Sequence, residues 1–220
     1  MRALLRSLEA EKGSRMTSHT TTGRVNQKRR TYKAILDAAK ELIRTDRAFT
    51  MLDVANAALV SEATAYRYFP DLNTLLQKAM SEQRPRPEEA LASVAGSVDP
   101  VKRVTAATEY LLRHVLTFQN AVRATIAATI GAPQEAATTR RGLRFDLIDH
   151  ALAPLAEAVG EDDPVLVQLK RDLSVVVGAE SLFCLLDQCG LPPEEAIVSI
   201  VHTATTLTRA ASREARKNKR

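Results

Sequence analysis

Hydroxyls, phenols and one cation are concentrated between Thr50 and Pro70, in TMLDVANAALV followed by SEATAYRYFP. Ala63, Thr64, Tyr66 and Arg67 are spaced to share one side of a short helix, giving a surface that is small, hydroxylated, aromatic and cationic. Ala65 and Phe69, four apart, take the opposite side and turn inward, with Tyr68 partly so. Ser61 supplies an N-cap hydroxyl, Glu62 sits at the positive end of the helix, and Pro70 stops it. The chemistry on offer is hydrogen bonding and charge rather than bond making. Such a face suits base edges and phosphates, and a DNA major groove admits one helix of this size.

A two-turn helix does not hold itself in water, so neighbours must dock it. Leu52, Val54, Ala55 and Ala58 give the preceding helix an inward face, with Thr50 as its cap and Asp53 completing an approximate capping box. Further upstream, the pattern predicts a helix from Arg30 or Thr31 to about Thr45, with the stripe Ile35, Leu36, Ala38, Ala39, Leu42 and Ile43. Phe49 packs on it from the loop. Leu72, Leu75, Leu76 and Met80 continue into a fourth helix, and Pro85 and Pro87 divide the connector that follows.

Over residues 30–77 the chain resembles the tetracycline-repressor-like (TetR) transcriptional regulators. The residues that carry the resemblance are Ile35-Leu36-Asp37-Ala38-Ala39, Phe49-Thr50, Val54-Ala55, Val60-Ser61, Thr64, Tyr66 to Pro70, and Leu75-Leu76. It departs from the family pattern at Leu59, where Gly usually makes the turn, at Ala63 and Ala65, where Gly and Leu are frequent, and at Leu72, often a phosphate-binding Lys. The resemblance implies that Glu62, Ala63, Thr64, Tyr66, Arg67 and Tyr68 lie at double-stranded DNA, with Ser61 and Thr50 opening the two helices. Thr50 would give its hydroxyl and amide to a phosphate, Thr64 and Tyr66 would touch base edges, and Arg67 and Tyr68 would hold phosphates.

Charge is spread unevenly along the 220 residues. Residues 1–80 hold 14 Lys/Arg against 8 Asp/Glu, residues 81–211 hold 12 against 17, and the last nine hold 5 against 1. A basic N-terminal third on an acidic remainder suits a nucleic-acid head on a separate body. Residues 1–29 read as a flexible extension with Met16 as an alternative start, and Arg24, Lys28, Arg29 and Arg30 form a basic arm directly at the first helix. Arg2 to Lys12 could form a short amphipathic helix.

From Asp99 the chain reads as long helices. Asp99-Pro100, Asp163-Pro164 and Pro192-Pro193 open three of them, and Gly131, Gly160 and Gly190 close others. Another helix runs from Gln134 to Val159 with a kink at Pro154. The Asp163 helix is expected to reach about Gln188 and the last one about Arg213, with a disordered basic tail over residues 214–220. The fold class is therefore all-α: a three-helix helix-turn-helix head over residues 30–77 and a helical body over 78–213. The last two helices carry more apolar residues than one small core needs. Leu173, Val176, Val177, Phe183, Ile197, Ile200, Val201, Ala204 and Leu207 are expected to pair with their copies in a homodimer.

In the family the body encloses a small-molecule effector. Tyr110, His114, Phe118, Arg123, Phe145 and His150 are the polar and aromatic residues among apolar ones that would line such a pocket. No clustered His, Cys or carboxylate set, phosphate loop or nucleophile elbow indicates an enzyme, a metal or another cofactor. Cys184 and Cys189, five apart on a helix, are expected to be reduced, buried and turned different ways. No apolar run is long enough for a bilayer, so a cytoplasmic protein without membrane contact is expected. The expected function is a DNA-binding regulator, in the first instance a ligand-responsive repressor on a palindromic operator. The alternative is a helical dimerisation or small-molecule-binding protein whose head no longer reads DNA.

Overall fold

Side chains at Thr50, Ser61, Asp71, Asp99 and Asp163 cap the starts of five helices among the described residues. The computed structural model describes residues 24–45, 47–131 and 142–218, all helices and connections without a strand among them. The expected segments at Arg2 to Lys12 and Gln134 to Arg141, and the last two residues, lie outside this range. The chain divides into two compact units, the first ending at Met80 and the second beginning at Ser81.

In the first unit, α1 (24–43) begins about six residues earlier than the sequence pattern suggests. No Gly or Pro interrupts Arg24 to Arg30, and the Thr31 hydroxyl donates back to the Gln27 carbonyl at 3.1 Å. The basic residues expected in a free arm are thus fixed on the exposed first turns of a helix. Helix α2 (Met51–Ala57) and α3 (Glu62–Tyr68) follow, then α4 (Leu72–Glu82), whose start is capped by Asp71 through the Thr74 amide at 2.7 Å. Ile35, Leu36, Ala39 and Ile43 of α1 are buried, as are Met51, Val54 and Ala55 of α2, Ala65 and Phe69, and Leu75, Leu76 and Ala79 of α4. Leu52 is a correction: it is 48% exposed, and Met51 takes the inward place.

In the second unit, α5 (Pro87–Ala90) leads through a single 3-10 turn to α6 (Pro100–Thr117), α7 (Gln119–Ile130), α8 (Gly142–Val159), α9 (Pro164–Val176), α10 (Ala179–Phe183) and α11 (Pro193–Asn218). Asp99 and Asp163 cap α6 and α9, each accepting from a backbone amide two residues on, with Pro at the first helical position. Gly160 and Gly190 sit at φ +101 and +67, where a side chain would be strained.

Helices α6, α8, α9 and α11 pack in a closed ring, each against two others, as a four-helix bundle. The bundle core includes Val104, Leu111, Leu112, Leu147, Leu152, Leu166 and Leu169. It also takes Leu173, Val177, Phe183, Ile197, Ile200 and Ala204, which the sequence reading placed between two copies. These six are buried within their own chain, so the apolar excess of the last helices is spent mostly on an intrachain core. Val176, Val201 and Leu207 stay half-buried.

The single helix expected from Pro164 to Gln188 is broken into α9, α10 and a π turn, Cys184–Gln188. The break comes at Gly178, after three consecutive valines that hold a helix weakly. The Arg144 guanidinium lies where a side chain at 178 would begin: a Cβ there would be 2.7 Å from Arg144 Cζ. Arg144 is held in place by the Ser174 carbonyl at 3.0 Å and by an ion pair with Glu180. Gly178→Ala should therefore cost about 1–2 kcal/mol by overpacking. Urea unfolding should show that cost nearly vanish when Arg144 is already Ala; an equal cost in both backgrounds would place the clash elsewhere.

Helix α11 also outruns its expected end, continuing to Asn218 with Ala215 buried, so the start of the supposed disordered tail is helical. Arg216 and Lys217 lie in its last turn, where cations complement the helix dipole.

Candidate nucleic-acid interface

The turn between α2 and α3 sets the direction of α3, and it is made by a strained leucine. Leu59 has φ +55, the left-handed region that glycine occupies cheaply, and its side chain is 93% exposed. Val60 N–H bonds to the Ala55 carbonyl at 2.9 Å and Leu59 N–H to Asn56 at 3.1 Å, closing the turn. Nothing apolar rewards the leucine side chain. Leu59→Gly should stabilise the first unit by up to about 1 kcal/mol, raising its urea midpoint. An unchanged or lowered midpoint would mean that Leu59 is held by something other than backbone geometry.

Both helix starts are capped as their sequences suggest. Thr50 forms a full capping box with Asp53: its amide and hydroxyl each donate to Asp53 Oδ2 at 2.7 Å, and its hydroxyl accepts from the Asp53 amide at 3.3 Å. The Thr50 hydroxyl and amide together hold the Asp53 carboxyl below its ordinary range, so it stays ionised. Thr50 is exposed, but the two donors expected to meet a phosphate are already engaged with Asp53. Ser61 accepts from the Thr64 amide at 3.2 Å, and the two hydroxyls share a hydrogen bond of 2.8 Å.

Ala65, fully buried, and Phe69 seat α3 on its neighbours. Ser61, Glu62, Ala63, Tyr66 and Arg67 are exposed, Thr64 and Tyr68 half-buried. Tyr66 is 47% exposed. Tyr68 packs edge-on against Tyr32 at 6.4 Å and lies beneath the Arg67 guanidinium at 5.7 Å, so it is part scaffold. Tyr32 also stacks on Phe69 at 5.1 Å. Sequence reading passed over Tyr32, although its place three residues before Ile35 puts it on the inward stripe of α1. It fixes the early turns of α1 beside the C-terminal end of α3. Lys28 and Arg29 stand about one turn before it, and Arg29 and Arg30 are both exposed. Their positive charge is thus carried on the helix that buttresses the polar face. The first unit therefore presents hydroxyl, phenol and guanidinium groups on one short supported helix, and a basic helix start alongside.

The six candidate pocket residues do not form one group. Tyr110 and His114 of α6 and Phe118 at its C-cap follow one another at four-residue spacing, with ring separations of 6.4 and 4.7 Å. Arg123 turns instead to Asp187, through a two-pronged ion pair at 2.6 and 2.8 Å, and lies 3.8 Å from the Phe183 ring centroid. Phe145 and His150 are half-buried on α8. Burial raises the Tyr110 phenol, helped by Glu89, and lowers the His114 imidazole below 6.5.

His114 therefore takes up its proton at lower pH in the fold than in the unfolded chain, whose imidazole is protonated as pH falls through about 6.5. Unfolding gains protons in that window, so stability rises with pH there. The thermal midpoint should fall between about pH 7.5 and 5.5, and His114→Gln should remove that part of the slope. An identical slope in the variant would assign it to other groups.

No group of three or more metal-ligating side chains occurs among the described residues, and no helix among them is long and apolar enough to cross a membrane. No family model matches the chain, and no curated protein matches it. A search of solved structures finds similarity to a TetR transcriptional regulator from Rhodococcus sp. RHA1, 24% identical over 82% of this chain and 97% of that chain, with a TM-score of 0.48.

Proposed function

We propose that this chain is a DNA-binding transcriptional regulator that reads a palindromic operator as a homodimer. The observation that carries the proposal is the exposed face of α3. A two-turn helix capped by Ser61 and anchored by Ala65 and Phe69 leaves Glu62, Ala63, Tyr66 and Arg67 facing solvent. A face with hydroxyl, aromatic and cationic groups but no large aliphatic side chain has little to gain from the protein's own core. It suits base edges in a major groove, with Arg67, Tyr68, Arg29 and Arg30 on flanking phosphates. Thr50 would reach a phosphate only by exchanging a bond now made to Asp53.

In this reading the second unit pairs with its copy and binds an effector. The apolar surface left for pairing includes the exposed Val198 with the half-buried Val201 and Leu207 of α11, and the exposed Val175 with the half-buried Val176 of α9. The two heads would meet half-sites about 34–36 Å apart. A small molecule would release DNA only by binding the arrangement that does not fit the operator more tightly than the one that does. Repression is the simplest output of such release.

A gel shift with the DNA upstream of the protein's own gene, run over a range of salt concentrations, tests the proposal. A specific band that weakens steeply with salt supports it. No shift at low salt would leave the alternative, a helical binding protein with a silent head. Sedimentation at micromolar concentration tests the pairing, and a monomer would end it.

A further inference from the structure

An acidic side chain stands on the face that the proposed function turns toward a polyanion. Elsewhere in the first unit the acids serve the fold. Asp37 accepts from Lys40 Nζ at 3.4 Å and Glu41 from Arg44 Nη1 at 2.8 Å. Asp53 accepts from Thr50, and Asp71 from the Thr74 amide, each at 2.7 Å. Among the described residues of this unit, Glu62 is the one acid whose carboxylate has no hydrogen-bond or ion-pair partner, and it is exposed. It is not needed as a cap, because Ser61 already accepts from the Thr64 amide. Its attraction to the positive end of α3 is the same whatever the chain is bound to.

The helix places Glu62 among the base readers. Glu62 and Tyr66 are four apart, so they lie one above the other on α3. Ala63 beside them ends at a methyl group and does not hold this side of the helix off a groove floor. Phosphates repel a carboxylate, so Glu62 adds affinity only where a base edge offers it a donor. A carboxylate accepts and cannot donate. Guanine shows N7 and O6 in the major groove, and thymine shows O4, all acceptors. Adenine sets the N6 amino group beside N7, whose lone pair meets the second carboxylate oxygen. Cytosine shows the N4 amino group with no acceptor beside it.

We propose that Glu62 is a specificity-determining residue, and that each half-site of the operator carries a cytosine whose N4 amino group donates to the Glu62 carboxylate. The inference rests on the DNA-binding reading of α3 and names a feature of the sequence that α3 reads. The same carboxylate is repelled by the backbone of every duplex, and only the cytosine offsets that repulsion. Glu62 therefore acts by rejecting wrong sequences as much as by holding the right one. With two copies related by a two-fold axis, the cytosines fall at symmetric positions of the palindrome, one on each strand.

The test selects duplexes from a randomised pool with the full chain and with Glu62→Ala and Glu62→Gln. Affinities for the recovered site and its single-base variants are then measured at one salt concentration. The wild type is expected to enrich an inverted repeat with a cytosine in each half-site whose replacement weakens binding about 5- to 150-fold. Glu62→Ala should lose the preference at that position alone and bind scrambled duplex more tightly than the wild type does. Glu62→Gln should move the preference to adenine, because an amide donates to N7 and accepts from N6. Unaltered thermal midpoints establish that the variants are folded. Enrichment of one site with the same preferences by all three proteins, or a Glu62-dependent preference for another base, overturns the role of Glu62 and leaves the DNA reading standing. A wild type that enriches no sequence overturns the DNA reading, and this assignment falls with it.

Discussion

Arg103→Met should destabilise the second unit by about 3 kcal/mol, the largest single loss expected among these side chains. Arg103 is only 4% exposed, and its guanidinium is held by backbone carbonyls. Nη2 donates to the His150 carbonyl at 2.6 Å, Nε to Ala151 at 3.0 Å, and Nη1 to Val94 and Ser97 at 3.3 and 3.4 Å. His150 lies within α8, where its carbonyl would ordinarily accept from the amide four residues on. That residue is Pro154, which has no amide hydrogen. Arg103 therefore supplies the hydrogen bond that Pro154 withholds, and it ties α6 to the interior of α8. Methionine keeps the length and apolar stem of the side chain, so packing is largely preserved. Its gain is the removal of a buried charge; its loss is the tie to four backbone carbonyls and the His150 carbonyl left without a donor, at about 1–3 kcal/mol. The loss wins because the acceptors remain. The mechanism predicts non-additivity: with Pro154→Ala in place, residue 154 again has an amide to offer His150, and Arg103→Met should cost about 1–2 kcal/mol less. Chemical denaturation of the four proteins of this cycle checks it, and simple additivity would show that Arg103 acts only as a space filler.

The contrast between what the chain discloses and what it hides follows from sequence distance. The Thr50–Asp53 box, the Ser61 cap, the Asp-Pro helix starts and the Gly stops each involve residues within four of one another, so the local pattern contains the whole interaction. The all-α class and the head core were legible for the same reason: a stripe such as Ile35, Leu36, Ala39 and Ile43 is periodic in itself. Period alone cannot choose between Met51 and Leu52, because either begins an acceptable helical face. The break at Gly178 depends on Arg144, whose partner Glu180 lies 36 positions away, and Pro154 needs Arg103, 48 positions from Ala151. Neither association leaves a mark on its own segment. The surplus of apolar residues in α9 and α11 was real, but whether it meets the same chain or a second one depends on α6 and α8 closing the ring. Cys184 and Cys189, expected to be buried, are both exposed, because the chain leaves the regular α-helical period in the π turn Cys184–Gln188 and the apolar stripe does not continue through it.

Tyr66→Ala should weaken operator binding by about 1–3 kcal/mol, roughly 5- to 150-fold, while leaving the fold intact. Tyr66 is 47% exposed and its neighbour Ala65 carries the packing of α3, so the thermal midpoint should stay within about the equivalent of 0.5 kcal/mol. Its loss should fall on specific sequence alone, because a phenol that touches a base edge or thymine methyl contributes nothing on random DNA. Arg67→Ala is the informative companion. A guanidinium on a phosphate supports every sequence equally, so this variant should weaken specific and non-specific binding together and reduce the slope of log affinity against log salt by about one. Arg67 also lies 5.7 Å from the Tyr68 ring, so Arg67→Lys should restore much of the salt slope if charge is what matters, and little if the stacking is. Filter binding of the three variants to operator and to scrambled duplex, at several salt concentrations, separates these outcomes. Unchanged operator affinity in Tyr66→Ala would remove that residue from the base-reading face. Loss of both affinities without a change in slope in Arg67→Ala would mean that α3 meets DNA by shape rather than by charge.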